Sequence, residues 1–457
     1  MAVAPRLANA LDAEVRAEST ASTWQVRGPS GAPVLSLRRF TQTLTLGASH
    51  RPEDPRGPRV TIRARLRIDS DFGAACDPST DRCLDELNLS RAAEFAPLFA
   101  RRSLDLPWAY VDVESIGRGA LDLRVGRQLV VDALGFMLFD GGRARLHLGR
   151  AIALEVYGGL ETRAGFPLSN GRYERDGVAR LDRDGWDASL APSIRDAVTA
   201  GVFAAAVELR GAGPVYARAT WRRVWTSEGT VEEKAALRVD VDVSRRVSGH
   251  AEAVWSFPHD TATLALAGVT WRSGRGHLVG VDVERVRPVF DATTIWASFW
   301  TDPTDDARAR VEVPLSRGWS LTVDALGRRY ALSASSTQTP DQFNAGGGAG
   351  LHARRPRWEL SARARGEGGG LGSRVGADLS ARRWMSQSVR LDGGVSLWSV
   401  NDTLRDDRDI TSGSLWVGVM VRLGRVARMH LTLEDDVNRV VGQRLRAFAL
   451  LDLGTSL

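Results

Sequence analysis

Apolar and polar residues alternate strictly along this chain, and the alternation recurs from about residue 34 to the last residue. Over residues 60–68 the apolar side chains stand at even positions, with Arg63, Arg65 and Arg67 between them. A period of two places successive side chains on opposite faces of an extended strand. The pattern therefore predicts many strands, each with one apolar and one polar face. The same division appears in residues 237–244, 308–315, 319–325 and 358–365.

Two all-β architectures share this alternation, the β-sandwich and the closed barrel that spans a membrane. A sandwich packs large residues on its inner face, whereas few aromatic residues occupy the apolar positions at mid-strand here. Trp319, Trp358 and Trp384 lie beside tight turns, as in the aromatic girdles at a membrane interface, although ordinary core anchors at strand ends would also explain them. We expect an all-β fold, a transmembrane antiparallel up-and-down barrel.

Connection lengths support a barrel of considerable size. Short connections such as 316–319 and 385–388 are separated by longer polar ones such as 335–343 and 401–409. This is the rhythm of short periplasmic turns and long external loops. With ~10 residues in each tilted strand, the length predicts about 20 strands, within a range of roughly 16 to 22. Such a barrel has an open lumen rather than a packed core.

The predicted organisation is an N-terminal segment followed by one barrel. Residues 1–30 lack a strand pattern and are expected on the periplasmic side, where the stretch LANALDAEVRAE could form a short helix. Residues 31–457 are expected to form the barrel. Insertions near 71–104 and 163–196 interrupt its rhythm, and they are expected to be external loops or segments that fold inward to narrow the channel.

Composition excludes several classes of protein. No stretch approaches the ~18 consecutive apolar residues of a membrane helix, whereas alternating barrel strands average to a neutral hydropathy. The 61 basic and 55 acidic residues are interspersed, which argues against nucleic acid as a partner, because a nucleic-acid groove needs a stripe of one sign. Nearly all the basic residues are arginines. We attribute this first to coding bias and second to a lumen lined with fixed cations.

The two cysteines and the N-terminus bear on the cellular compartment. Cys76 and Cys83 flank a polar stretch and suit a disulfide-closed loop in an oxidising compartment, while metal binding by the two thiols is the alternative. The stretch MAVAPRLANALDAEV contains no apolar core of an export signal. Either the signal has been removed from a mature outer-membrane chain, or the barrel interpretation is wrong.

Residues 121–149, LDLRVGRQLVVDALGFMLFDGGRARLHLG, form the most distinctive stretch of the chain. This stretch resembles the pattern of bacterial outer-membrane porin-like barrels related to alginate-export and other substrate-specific channels. In that pattern an R-x-G-R-Q strand precedes a loop that reaches into the pore. The resemblance and the alternation together suggest these pore-lining residues: Arg63, Arg65, Arg67, Asp122, Arg124, Arg127, Gln128, Asp140 and Arg143.

The chemical role of the lining arginines has two interpretations. A guanidinium engages carboxylate or phosphate through two hydrogen bonds, so Arg63, Arg65, Arg67, Arg124 and Arg143 would favour anions. Alternatively, they pair with acidic residues on neighbouring strands and hold the wall together. Acidic residues are nearly as numerous as basic ones, which favours the second interpretation.

The partners expected from this resemblance are membrane lipid, lipopolysaccharide, small solutes and the outer-membrane assembly machinery. The closing alternation over residues 445–453 also resembles barrel proteins, but the chain ends in Leu457 instead of an aromatic residue. The sequence does not indicate an oligomeric state.

Enzyme signatures such as G-x-S-x-G, H-E-x-x-H, the P-loop and the Rossmann fingerprint are absent, and the seven histidines are scattered. We therefore predict no catalytic residue, cofactor or metal. The predicted function is a passive channel of the outer membrane for small solutes, anions among them, through a pore lined by Arg, Asp and Glu. A non-conducting barrel that binds a partner is the main alternative, and a barrel hydrolase with Ser and His assembled across strands is a third.

Overall fold

The computed structural model describes residues 11–27, 33–50, 52, 57–71, 74–75, 103–162, 200–227, 229–288, 303–316, 318–331, 342–401, 409–424, 426–438 and 442–456. Within these ranges 23 strands and one short helical turn, α1 (Ile116–Gly119), follow one another. The strands are β1 (Leu11–Arg27), β2 (Pro33–His50), β3 (Arg59–Asp71), β4 (Ala74–Ala75), β5 (Ser103–Ser115), β6 (Leu121–Asp132), β7 (Gly135–Leu148), β8 (Ile152–Glu161), β9 (Gly201–Ala212), β10 (Val215–Thr226), β11 (Gly229–Asp242), β12 (Val247–Ser256), β13 (Thr261–Arg272), β14 (Leu278–Val286), β15 (Thr304–Ser316), β16 (Trp319–Tyr330), β17 (Gln342–Arg355), β18 (Trp358–Gly369), β19 (Gly372–Trp384), β20 (Val389–Asn401), β21 (Ile410–Leu423), β22 (Ala427–Asn438) and β23 (Gly442–Ser456).

These strands close into one antiparallel barrel. Each strand of the barrel wall pairs with the strand that follows it in the chain. The two-residue strand β4 pairs with β2 and is not part of the wall, so β3 pairs with β5. The first and last strands complete the cylinder, in a register that runs from Glu14 opposite Ser456 to Val26 opposite Arg444. The wall has 22 strands. The predicted fold class is confirmed, and the strand number lies at the upper end of the predicted range.

The two faces of the wall differ as the alternation predicts. Aliphatic side chains such as Ile62 of β3 and Leu415 of β21 are 53% and 58% exposed on one face. On the opposite face, Arg145 of β7 contacts Glu208 of β9 at 2.7 Å across the intervening strand β8. Side chains on next-but-one strands converge on the concave side of a curved sheet. The charged face is therefore the inner one, and the aliphatic face is the outer one.

The two ends of the barrel also differ. Strand order places the three longest connections, 72–102, 162–200 and 287–303, at the end opposite both chain termini. Since long loops of such barrels are extracellular, we name this the external end. In the part of the chain that the structure describes, no helix has the length and apolar character needed to cross a membrane.

The structure corrects the prediction for the N-terminal segment. Residues 11–27 form β1, so the short helix expected over LANALDAEVRAE does not form where the chain is described, and the barrel starts before residue 31. Pairing with both β2 and β23 outweighs the helix propensity of this stretch. Small residues at the outward positions, such as Ala17 and Ser19, weaken the alternation there. Cys76, Cys83 and most of the two insertions lie outside the described residues.

One hairpin leaves the regular wall. The pairing of β5 with β6 ends at Ala109 opposite Arg127, whereas β6 and β7 stay paired to the turn after Asp132. Three glycines, Gly126, Gly141 and Gly159, stand opposite one another where this departure begins. A Cβ at any of them would collide with the backbone of a neighbouring strand. These glycines therefore allow the close backbone approach that bends the hairpin.

We predict that Gly141→Ala destabilises the barrel and that Gly142→Ala does not. The Cβ of the first variant would meet the backbone of Gly158, whereas at Gly142 the nearest atom, Arg124 O, is 4.0 Å away. Overpacking of this kind costs about 1–3 kcal/mol. Denaturant unfolding in detergent, followed by the shift between folded and heated electrophoretic bands, measures the difference. Equal stability of the two variants would contradict a steric role for this glycine row.

Candidate functional site

The inner face of β1 and β3 carries the first group of predicted lining residues. Arg65 Nη2 lies 2.6 Å from Glu18 Oε2, and Arg63 Nη2 lies 3.8 Å from Glu14 Oε2. Arg67 lies on the same face, two positions further along β3. About half of the Arg63 side chain is exposed. This part of the inner wall is therefore charged and open.

The second group lies on the inner face of β5, β6 and β7. Arg124 Nη2 lies 2.5 Å from Asp112 Oδ2, and its guanidinium stacks 4.4 Å from the centre of the Tyr110 ring. Asp122 Oδ2 lies 2.7 Å from His147 Nε2. Each of these charges has a partner on a neighbouring strand, as the second interpretation of the arginines predicts.

Arg143 belongs to a dense ion network on the inner face of β7–β10. Its Nη2 lies 2.6 Å from Glu155 Oε2, and Arg218 bridges Glu155 and Glu208 at 2.7 and 2.8 Å. Arg145 contacts the same two carboxylates, and Arg210 contacts Glu208. Four guanidinium groups thus surround two largely buried carboxylates, which leaves a net positive charge. A buried charge needs partners of this kind, so the network holds four strands in a fixed order.

The tip of the β6–β7 hairpin lies inside the barrel. Leu134, in its turn, is buried against Ala236 of β11 and Val254 of β12. Behind the tip, inward-facing apolar residues of the hairpin pack on β8–β10. This buried cluster consists of Val130, Met137, Phe139, Tyr157, Ala200, Val202, Ala204 and Val224. The hairpin therefore lies across the inner face of β8–β10 and narrows the lumen near the external end of the barrel.

Polar bonds anchor the hairpin tip to the wall. Arg222 Nη2 donates a buried hydrogen bond to Leu134 O at 2.9 Å, and its other nitrogens lie near Asp132 and Glu232. The Tyr157 hydroxyl donates to Asp132 Oδ2 at 3.2 Å. Arg222 is almost fully buried, so its charge depends on these partners.

The wall opposite the hairpin is more open. Arg308 and Arg310 of β15 expose more than half of their side chains on the inner face, and Arg363 and Arg382 nearly half. Arg308, Arg310 and Arg382 pair with carboxylates of their own or neighbouring strands, and Arg363 pairs with Asp324 on the next-but-one strand. One side of the lumen is thus filled by the hairpin, and the other side presents solvated charges.

Arg127 and Asp140 of the 121–149 stretch lie on the face of the β6–β7 hairpin opposite Arg124, at the point where the hairpin bends into the barrel, and their assignment to the pore lining stays a prediction. Arg127 lies on the same face as the exposed Val125 and Leu129, opposite Arg124. Its Nε and Nη2 donate to the two Asp140 oxygens at 2.7 Å, and Nη1 donates to Leu106 O at 3.2 Å. This pair closes the gap where β6 separates from β5.

Gln128 faces inward but is fully buried, which corrects its assignment to the pore lining. Its Nε2 donates to Gly141 O at 3.1 Å, directly beside the glycine row. Gln128 thus supports the bend of the hairpin and does not contact the lumen solution.

The three predicted interface tryptophans divide into two groups. Trp319 and Trp358 lie on the outer face at the periplasmic end of their strands, with ring centres 6.1 Å apart, as expected of a girdle. Trp384 shares its face with Arg382 and stacks on Arg390 and Arg422 at 5.6 and 4.8 Å. The girdle prediction is therefore wrong for Trp384, because its arginine contacts are on the inner face.

Sequence reasoning missed several residues of this site, chiefly Glu155, Glu208, Arg218 and Arg222. Each occupies a polar position of an alternating strand, which was the available signal. Their partners lie on other strands, and only the register identifies them.

Comparisons with known proteins give structural likeness only. No family model and no curated protein matches the chain. Similar solved structures include OccAB4 of Acinetobacter baumannii, with 6% identity, a TM-score of 0.47 and 98% of each chain covered. A BenF-like porin of Pseudomonas fluorescens Pf-5 has 8% identity and a TM-score of 0.46, over 98% of this chain and 99% of that one. OccK2 (OpdF) of Pseudomonas aeruginosa in complex with glucuronate has 10% identity and a TM-score of 0.44, over 97% and 98%. Because the identities and scores are this low, conclusions about this chain rest on its own geometry.

We predict that Arg222→Gln releases the hairpin tip, whereas Arg223→Gln does not. Arg222 is buried against the tip, and Arg223 points outward on the same strand. Leu134→Cys, in a background with Cys76→Ser and Cys83→Ser, reports release through its rate of maleimide labelling. Removing one partner of a buried charge cluster is strongly destabilising, so we expect labelling about tenfold faster or more. Equal labelling rates in the two variants would show that Arg222 does not anchor the tip.

Proposed function

We propose that this protein is a passive channel of the bacterial outer membrane that admits small solutes and favours anions. The observation that carries the proposal is the closed 22-strand wall, aliphatic outside and charged inside. An aliphatic outer face suits hydrocarbon, and a charged inner face suits water. A barrel with these faces provides an aqueous path between the two sides of a membrane.

The width of the wall supports conduction past the hairpin. With 22 strands spaced ~4.8 Å apart and tilted by ~40°, a circular section would measure roughly 44 Å between opposite backbones. The inner side chains of facing strands do not fill such a width. The hairpin packs on β8–β12, and across the lumen Arg310 of β15 and Arg363 of β18 keep about half of their side chains exposed.

The charges of the inner wall support a preference for anions. Guanidinium groups outnumber carboxylates in the β7–β10 network, and Arg63, Arg65 and Arg67 lie on the inner face of β3. Fixed cations along a pore lower the electrostatic barrier to anions and raise it for cations. Small carboxylates or phosphates are the solutes that such guanidinium groups would favour.

Reconstitution in planar bilayers tests the proposal. A conducting pore gives stepwise increases in current after purified protein is added. A barrel that is folded by its electrophoretic shift but remains electrically silent would contradict the channel and favour the partner-binding alternative. An esterase assay on the same sample addresses the hydrolase alternative.

We predict that replacing Arg63, Arg65 and Arg67 together by Gln shifts ion selectivity toward cations. The change removes three inward cations and leaves Glu14 and Glu18 in place. The reversal potential in a KCl gradient measures the shift. Arg223→Gln/Arg383→Gln is the control, because both arginines lie on the outer face and their loss should leave the reversal potential unchanged. An unchanged potential in the triple variant would show that these arginines do not line the conducting path.

A further inference from the structure

The outer face of β11–β17 contains a groove of about 680 Å³. Its floor consists of alanines at outward positions where other strands carry valine or leucine. Leu237 and Phe343 stand at its two edges and are 50% and 59% exposed. The small floor residues and large edge residues give a concave apolar surface on the side of the wall that faces lipid. The floor alanines are Ala251, Ala253, Ala265, Ala267 and Ala307.

A group of charged residues borders this groove at the external end of the barrel. Arg285, Asp305 and Arg329 stand opposite one another on β14, β15 and β16, each one residue from the end of its strand. Arg285 Nη1 lies 3.4 Å from Asp305 Oδ1, and Arg329 Nη1 lies 3.8 Å from Asp305 Oδ2. Both guanidinium groups are about half exposed. Two half-exposed guanidinium groups therefore share the Asp305 carboxylate beside the groove.

We propose that this groove binds a phosphorylated glycolipid of the outer leaflet, the lipid A part of lipopolysaccharide. Acyl chains would lie on the alanine floor, and a lipid phosphate would bond to Arg285 and Arg329. Two features of the groove select this occupant. The cations lie beside an apolar groove, which matches an anionic head group joined to acyl chains. They also lie at the external end, where the outer leaflet provides the lipid. The proposal rests on the membrane location and not on conduction.

The three charged residues also lie at the depth of the lipid head groups. Charged residues on a lipid-facing wall are costly in hydrocarbon, and the cost falls near the interface, where they meet head groups. The outward positions next below the three residues are Val283, Ala307 and Gly327, so the apolar surface begins directly under the cations. A lipid lying along the strands would therefore contact both surfaces at once.

Native mass spectrometry of the full, delipidated barrel in detergent tests the proposal, with bis-phosphorylated lipid A as the probe. We expect a bound complex whose apparent Kd rises about tenfold or more in Arg285→Gln/Arg329→Gln, because charge-assisted hydrogen bonds are lost. The matched control, Arg223→Gln/Arg383→Gln, removes two outward arginines outside the groove and should bind as wild type. Ala267→Trp fills the floor and should also weaken binding. The electrophoretic shift confirms folding of each variant.

Four results would overturn the proposal. The first is equal affinity of the groove variant and its control, and the second is equal affinity for lipid A from which the phosphates have been removed. Tighter binding of phosphatidylglycerol than of lipid A would make a phospholipid the occupant. A dimer that the groove variants abolish, with no lipid bound, would make a second copy of the chain the occupant. None of these results affects the conductance test, so the two proposals fail independently.

Discussion

The fold depends on one constraint: within hydrocarbon, every backbone N–H and C=O group must find its partner inside the protein. An open sheet leaves two edges unpaired, so the first and last strands must meet. Here β1 and β23 pair along thirteen residue positions. On the inner face Asp452 accepts hydrogen bonds from Arg16 at 3.0 and 3.2 Å and from Arg428 at 2.6 Å, which adds ionic contacts to the closing seam. Closure then gives each strand one face toward lipid and one toward the lumen.

The inner face brings a second requirement, because charges enclosed by the wall must be paired or solvated. Over β7–β10 they are paired, and the folded hairpin covers the same side of the lumen. Three features hold this one hairpin. The glycine row lies at its bend, the Arg127–Asp140 pair lies at its base, and Arg222 anchors its tip. Beside β15–β19 the inner charges remain solvated. The anchored hairpin and the solvated charges therefore occupy different sides of one lumen.

Most of the wall could be predicted from sequence, because a period of two alone assigns strands such as β3, β15 and β18 and their two faces. The same period places Trp384 on the face of Arg382, so the girdle prediction for Trp384 was wrong because it used the residue type and not the face of the strand. β1 was missed because its outward residues are small. Ion partners such as Arg145 and Glu208 lie on different strands, and the groove depends on how seven strands curve. Neither the ion partners nor the groove can be predicted from the spacing of residues along one strand.

The most direct test of the account is the water accessibility of successive residues along β18. Single cysteines at positions 360 to 365, in a chain with Cys76 and Cys83 replaced by serine, are labelled in lipid vesicles with a membrane-impermeant maleimide. A lipid-facing wall around an aqueous lumen predicts labelling at Ser361→Cys, Arg363→Cys and Arg365→Cys, and protection at Leu360→Cys, Ala362→Cys and Ala364→Cys. Equal labelling on both faces, or protection of the polar positions, would contradict a lipid-facing wall around an aqueous lumen.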